Sequence, residues 1–150
     1  MLLRQGLPEQ AEAAYRQAIS SGHPDVAPRA TVDLGLTLMQ QGLPEQAEAA
    51  YRQAISTAHP DEAPKAAYNL GVLLYEEGQF EQAEAAYRQA ISTAHPDEAP
   101  KAAYNLGVLL HEEGRLEQAE AAYRQAICSA HPEVAPRRLV FFAKSHEAYR

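Results

Sequence analysis

The sequence predicts an all-α solenoid of antiparallel helix pairs, and three observations carry that expectation. The block Glu-Gln-Ala-Glu-Ala-Ala-Tyr-Arg-Gln-Ala-Ile starts at Glu9, Glu45, Glu81 and Glu117, at a constant interval of 36 residues. Gly6, Gly42, Gly78 and Gly114 keep the same interval, as do Gly35, Gly71 and Gly107, and only Gly22 of the 8 glycines falls outside it. Within each unit the apolar residues recur at helical spacing in two separate runs. A period of this size marks stacked supersecondary units, because one helix pair cannot bury its own apolar face.

The unit from Pro64 to Pro100 shows each element in turn. Pro64 suits the first turn of a helix, where its missing N–H leaves no bond unmade. Leu70, Leu73 and Leu74 give that helix its apolar stripe, and Glu77-Gly78 ends it, glycine supplying a left-handed residue. A second helix starts near Phe80, with Ala83, Ala86, Tyr87, Ala90 and Ile91 on one face. His95-Pro96-Asp97-Glu98 then breaks the chain before the next unit, the histidines of this series being polar residues that close a helix ahead of proline. The period divides residues 1–150 into one solenoid. Residues 1–24 hold only the second helix of a partial first repeat; 25–60, 61–96 and 97–132 are full repeats; and 133–150 form a C-terminal capping helix. The array thus begins half a unit late, as expected of a piece of a longer protein.

Composition narrows the function. A formal net charge of -7 opposes binding to nucleic acid or an anionic membrane surface, both of which call for a basic stripe. No apolar run approaches the ~20 residues that span a bilayer. The single cysteine, Cys128, excludes an intrachain disulfide and points to a reduced, cytoplasmic setting.

Leu70-Gly71, Gly78, Ala83, Tyr87, Ala90 and Pro96 occur in an order that resembles the tetratricopeptide repeat. Leu34-Gly35, Gly42, Ala47, Tyr51, Ala54 and Pro60 repeat it, as do Leu106-Gly107, Gly114, Ala119, Tyr123, Ala126 and Pro132. The resemblance implies a right-handed superhelical solenoid that binds proteins, with first helices lining a concave face for an extended peptide or partner helix. Two departures stand out. The unit is 36 residues rather than the usual ~34, and alanine (Ala67, Ala103) replaces a frequent tryptophan, which should thin the core.

Position by position, the resemblance places rows of side chains on the concave face. Arg29, Lys65, Lys101 and Arg137 form a basic row; Asp33, Asn69 and Asn105 lie one turn on. Val32, Tyr68 and Tyr104 run alongside, followed by Leu36, Val72 and Val108, and then by Met39, Tyr75 and His111 with Gln40, Glu76 and Glu112. Asparagine offers a donor and an acceptor to a peptide group, so the row suits an extended backbone; the alternative is bonding to solvent or to a neighbouring helix. The lysines either meet acidic ligand groups or pair with Asp61, Glu62, Asp97 and Glu98. Chaperone-binding family members clamp a terminal carboxylate with lysine and asparagine, but Tyr68 and Val72 stand at those positions here.

A second reading is self-association, end to end, through an uncapped N-terminal face at Tyr15 and Ile19, with Leu139, Phe141 and Phe142 as the other apolar cluster. Contacts of that kind need not close into a ring. An enzyme is not expected: Glu76-Glu77 and Glu112-Glu113 have no accompanying nucleophile or base. No cofactor or metal is expected either, because His23, His59, His95 and His131 lie in separate loops, farther apart than one metal shell reaches.

Overall fold

A computed structural model describes residues 7–130. Within them the chain forms α1 (Pro8–Ser20), α2 (Val26–Gln40), α3 (Pro44–Ser56), α4 (Glu62–Glu76), α5 (Phe80–Ser92), α6 (Glu98–Glu112) and α7 (Leu116–Ala130). No strand occurs among the described residues. The capping helix expected at 133–150, with Arg137, Leu139, Phe141 and Phe142, lies outside them, as does His131.

Each first helix ends in the same manner. Gly42, Gly78 and Gly114 take positive φ of 74°, 77° and 77°. Around Gly78 its own N–H donates to Tyr75 O at 3.0 Å, and the Gln79 N–H donates to Leu74 O at 2.9 Å. These two bonds satisfy carbonyls that the helix end would otherwise strand and reverse the chain into the second helix.

The loops between repeats differ from the sequence expectation. The first helices start at Val26, Glu62 and Glu98, two residues ahead of Pro28, Pro64 and Pro100. The histidines allow this, and they open the following helix rather than closing the preceding one. His59 Nδ1 accepts the N–H groups of Asp61 and Glu62, each at 3.2 Å, and His95 Nδ1 accepts those of Asp97 and Glu98 at 3.2 and 3.3 Å. Nδ1 therefore carries no proton, which sits on Nε2. That nitrogen reaches back to the preceding loop, His95 Nε2 lying 3.2 Å from Asp61 Oδ1 and His59 Nε2 3.4 Å from Asp25 Oδ1. Proline as the third helical residue still sits among N–H groups that have no intrahelical partner.

The core is built mostly from alanine and leucine. Ala47, Ala54, Ala66, Ala83, Ala90 and Ala102 are fully buried, and Leu38, Leu70, Leu74, Leu106 and Leu110 fill the volume between helices. The decisive contact lies inside each unit. A Cβ placed on Gly71 would sit 2.5 Å from two carbons of the Tyr87 ring, and Gly35 and Gly107 face Tyr51 and Tyr123 as closely. The tyrosine thus fills its own unit's glycine notch before it reaches the next unit. Ala67 is buried in the core, and a cleft of about 390 Å³ lies beside it, bounded by Ile55, Pro64 and Thr93 among others.

Every helix packs on the next, and α4 also touches both α2 and α6. The second helices α3, α5 and α7 make no comparable mutual contact, so the stack curves with the first helices inside. Further ties cross between repeats on the outer side. Arg115 grips Glu84 with Nη1–Oε2 at 2.7 Å and Nη2–Oε1 at 3.2 Å, and Arg88 bonds the same carboxylate at 2.8 Å. Arg115 foremost, with Arg88, holds the Glu84 carboxyl below its ordinary pKa.

Gly71→Ala should cost about 1–3 kcal/mol by overpacking against the buried Tyr87 ring. Gly78→Ala meets nothing within 4 Å and should cost about 1–2 kcal/mol through its left-handed backbone alone. Gly78→Asn should recover part of that loss, since asparagine tolerates this conformation, whereas Gly71→Asn should be worse than Gly71→Ala. Urea unfolding monitored by circular dichroism separates the two causes.

Candidate functional site

The inner layer presents one stripe from each of α2, α4 and α6. Helical spacing brings Lys65, Tyr68 with Asn69, Val72, and Tyr75 with Glu76 onto that stripe of α4. At its N-terminal end the basic row is largely neutralised. Lys101 Nζ lies 3.2 and 3.0 Å from the two carboxylate oxygens of Glu98, and Lys65 Nζ lies 4.0 Å from Glu62. Only the Oε1 contact of Glu98 has hydrogen-bond geometry; the approach of Oε2 is coulombic. Glu62 and Glu98 are buried at 8% and 4% exposure, tolerable for carboxylates at helix N-termini beside lysine. Lys101 also sits 4.7 Å above the Tyr68 ring centre. In the first full repeat Val26 replaces the glutamate, and Arg29 instead acts on Asp33 together with Lys65. Burial raises the pKa of Asp33, and those two cations oppose the rise.

The asparagine row is not uniform. Asn105 Nδ2 donates to the Tyr68 hydroxyl at 3.3 Å, and its amide lies near the Tyr87 hydroxyl. Burial pushes the Tyr87 hydroxyl up to about 12, with Asn105 pulling the other way, so the ring bears a neutral phenol. Asn69 has no counterpart to the Tyr68 bond, because the residue 37 positions earlier is Val32, which carries no hydroxyl. Beyond this row the Tyr75 hydroxyl donates to Glu112 Oε2 at 2.5 Å, and that bond, chiefly, raises the tyrosine pKa. The Tyr75 ring is 5.6 Å from that of Phe80.

Between α4 and α6, above Tyr87 of α5, these side chains border a pocket of about 180 Å³ lined by Val72, Tyr75, Glu76, Tyr87, Asn105 and Val108. Three residues expected on the concave ladder, Val72, Asn105 and Val108, thus meet in one place. Tyr68 and Lys101 meet at its flank. Arg29, Asp33 and Lys65 form a separate charged group, while Asn69 is half-buried and Tyr104 is exposed and 5.7 Å from the Tyr123 ring. Sequence reasoning set Tyr75 and Glu76 in flanking rows and Tyr87 in the core. The available signal was the 37-residue offset, one more than the period, that pairs Tyr68 with Asn105 and Tyr75 with Glu112.

On α1 the expected open face is only partly as drawn. Tyr15 is half-buried where Tyr51 is buried, and Ala14 is exposed where Ala50 is buried. Ile19, by contrast, is half-buried like Ile55 and Ile91 in the interior repeats, so nothing sets it apart.

The sequence profile of the tetratricopeptide repeat matches residues 2–67, 32–99 and 68–135, three overlapping stretches that cover most of the chain. The chain belongs to the tetratricopeptide repeat family. Solved structures with the same fold include a double mutant of MamA (22% identity, TM-score 0.67, covering 98% of this chain and 85% of that one). BtubC from P. vanneervenii is similar at 19% identity and TM-score 0.66, over 99% of this chain and 76% of that one. MamA from residue 41 onward, from Desulfovibrio magneticus RS-1, matches at 21% identity and TM-score 0.65, over 99% of this chain and 86% of that one. At such identities the likeness is one of fold. Comparison with curated proteins finds no significant match.

This tetratricopeptide array offers binding chemistry, made of apolar walls, phenol hydroxyls, an amide and carboxylates. Among the described residues no three of His, Cys, Asp and Glu come together as a metal shell, and no helix is long and apolar enough to cross a membrane.

Asn105→Ala should cost about 1 kcal/mol by removing the bond to Tyr68, while Asn69→Ala should change stability by less than about 0.5 kcal/mol. The gain in helix propensity is the same at both sites, so the difference in urea midpoint reports the bond alone.

Proposed function

We propose that this chain is a non-catalytic scaffold that holds an extended segment of a partner protein along the concave surface of α2, α4 and α6. The pocket between α4 and α6 is the observation that carries the reading. It crosses a repeat boundary and combines apolar walls from Val72 and Val108 with polar groups from Asn105 and Glu76, the mixture that anchors and orients a ligand. First helices spaced ~8–10 Å apart are bridged by roughly three residues of extended chain, so one strand can address successive repeats. Peptides selected from a random phage-displayed library on the full chain should bind at least ~10-fold more weakly to Val108→Trp, which fills the pocket. Arg52→Ala, on an exposed face of α3, should leave binding unchanged. Equal binding by Val108→Trp, with its helix content intact, would remove the groove from the account.

End-to-end self-association is a second reading, supported by the exposure of Ala14 and Tyr15 relative to Ala50 and Tyr51. Light scattering should then show mass rising with concentration, and Tyr15→Glu should return it to the monomer value. A constant monomer mass at high concentration sinks this reading.

A further inference from the structure

We propose that the α4–α6 pocket is a subsite for a cationic side chain, so that the bound segment carries a lysine or arginine flanked by apolar residues. The inference rests on the groove reading and adds the chemistry of its ligand. Glu76 lines the pocket and forms no ion pair among the described residues. It is also the last residue of α4, where the helix carbonyls place a partial negative charge. Glu112 stands at the rim, where it accepts a hydrogen bond from the Tyr75 hydroxyl.

No lysine or arginine lines the pocket. Those of the same helices, Lys65 and Lys101, sit at the opposite helix ends beside Glu62 and Glu98. The remaining walls are two tyrosines, Tyr75 and Tyr87, two valines and the Asn105 amide. Aromatic faces favour a cation, and the valines favour the methylene stem of a long basic side chain. An anion would meet carboxylate and helix end together, and a neutral side chain would leave Glu76 unpaired against a partly apolar wall. The chain's net charge of -7 draws a basic partner from farther away.

The test is fluorescence anisotropy of the full chain with a positional-scanning library of acetylated, amidated nonapeptides. One position should prefer Lys and Arg over Gln and norleucine by about 5-fold. That preference should vanish in Glu76→Gln and persist in Glu77→Gln, which removes the same charge from an exposed residue outside the pocket. A preference for Asp or Glu, or a basic preference untouched by Glu76→Gln, overturns the cation subsite and leaves the groove standing. Failure of every library member to bind the unmodified chain overturns the groove reading and this inference with it.

Discussion

In each full repeat a tyrosine ring from the second helix lies where the side chain of a first-helix residue would otherwise be. Because Gly35, Gly71 and Gly107 bring no Cβ, Tyr51, Tyr87 and Tyr123 can lie against bare backbone. That contact fixes how near the two helices of a unit come and where the ring ends. The Tyr87 side chain also lines the pocket between α4 and α6. A core contact and a pocket wall are therefore parts of the same side chain.

Contacts between units follow a different logic. The histidine contacts in the loops recur with the period, capping a helix with one ring nitrogen and touching the previous loop with the other. The ties on the inner face do not recur. Tyr68 meets Asn105 and Lys101, whereas its forerunner Val32 offers Asn69 nothing; Tyr75 meets Glu112, whereas Met39 offers Glu76 nothing. Glu76 is thereby left with an open carboxylate at the pocket, a chemical consequence of methionine standing at Met39 where the next repeat has Tyr75.

The parts of this architecture legible in the sequence are those that depend on local spacing. Glycine at Gly42, Gly78 and Gly114 announces a helix end because only backbone geometry is at stake, and the leucine stripe announces a buried face. Helical periodicity also puts Lys65, Asn69, Val72 and Glu76 on one side of α4, whereas the assignment of that side to the concave face came from the family resemblance. What escaped were roles set by orientation across units. His59 reads as a helix-closing residue until its ring is seen to turn toward the following N–H groups, which moves the helix start back from Pro64 to Glu62. Asn69 and Asn105 read as equivalents until their neighbours 37 residues upstream are compared. Tyr87 reads as core, which it is, and nothing local reveals that it also lines the pocket between α4 and α6.

The thirty-residue identity between Glu45–Leu74 and Glu81–Leu110 raises a question of order that the inner-face ties answer. If the fourth unit docked on the second and skipped the third, Tyr123 would still find Gly107, His95 would still find an aspartate in Asp25, and Arg115 would still find a glutamate in Glu48. Asn105, Lys101 and Glu112 would instead face Val32 and Met39 and lose their ties to Tyr68 and Tyr75. Tyr68 and Tyr75 thus act as address labels in a chain whose modules otherwise fit one another indiscriminately. The same residues that shape the groove tell each repeat which neighbour is its own.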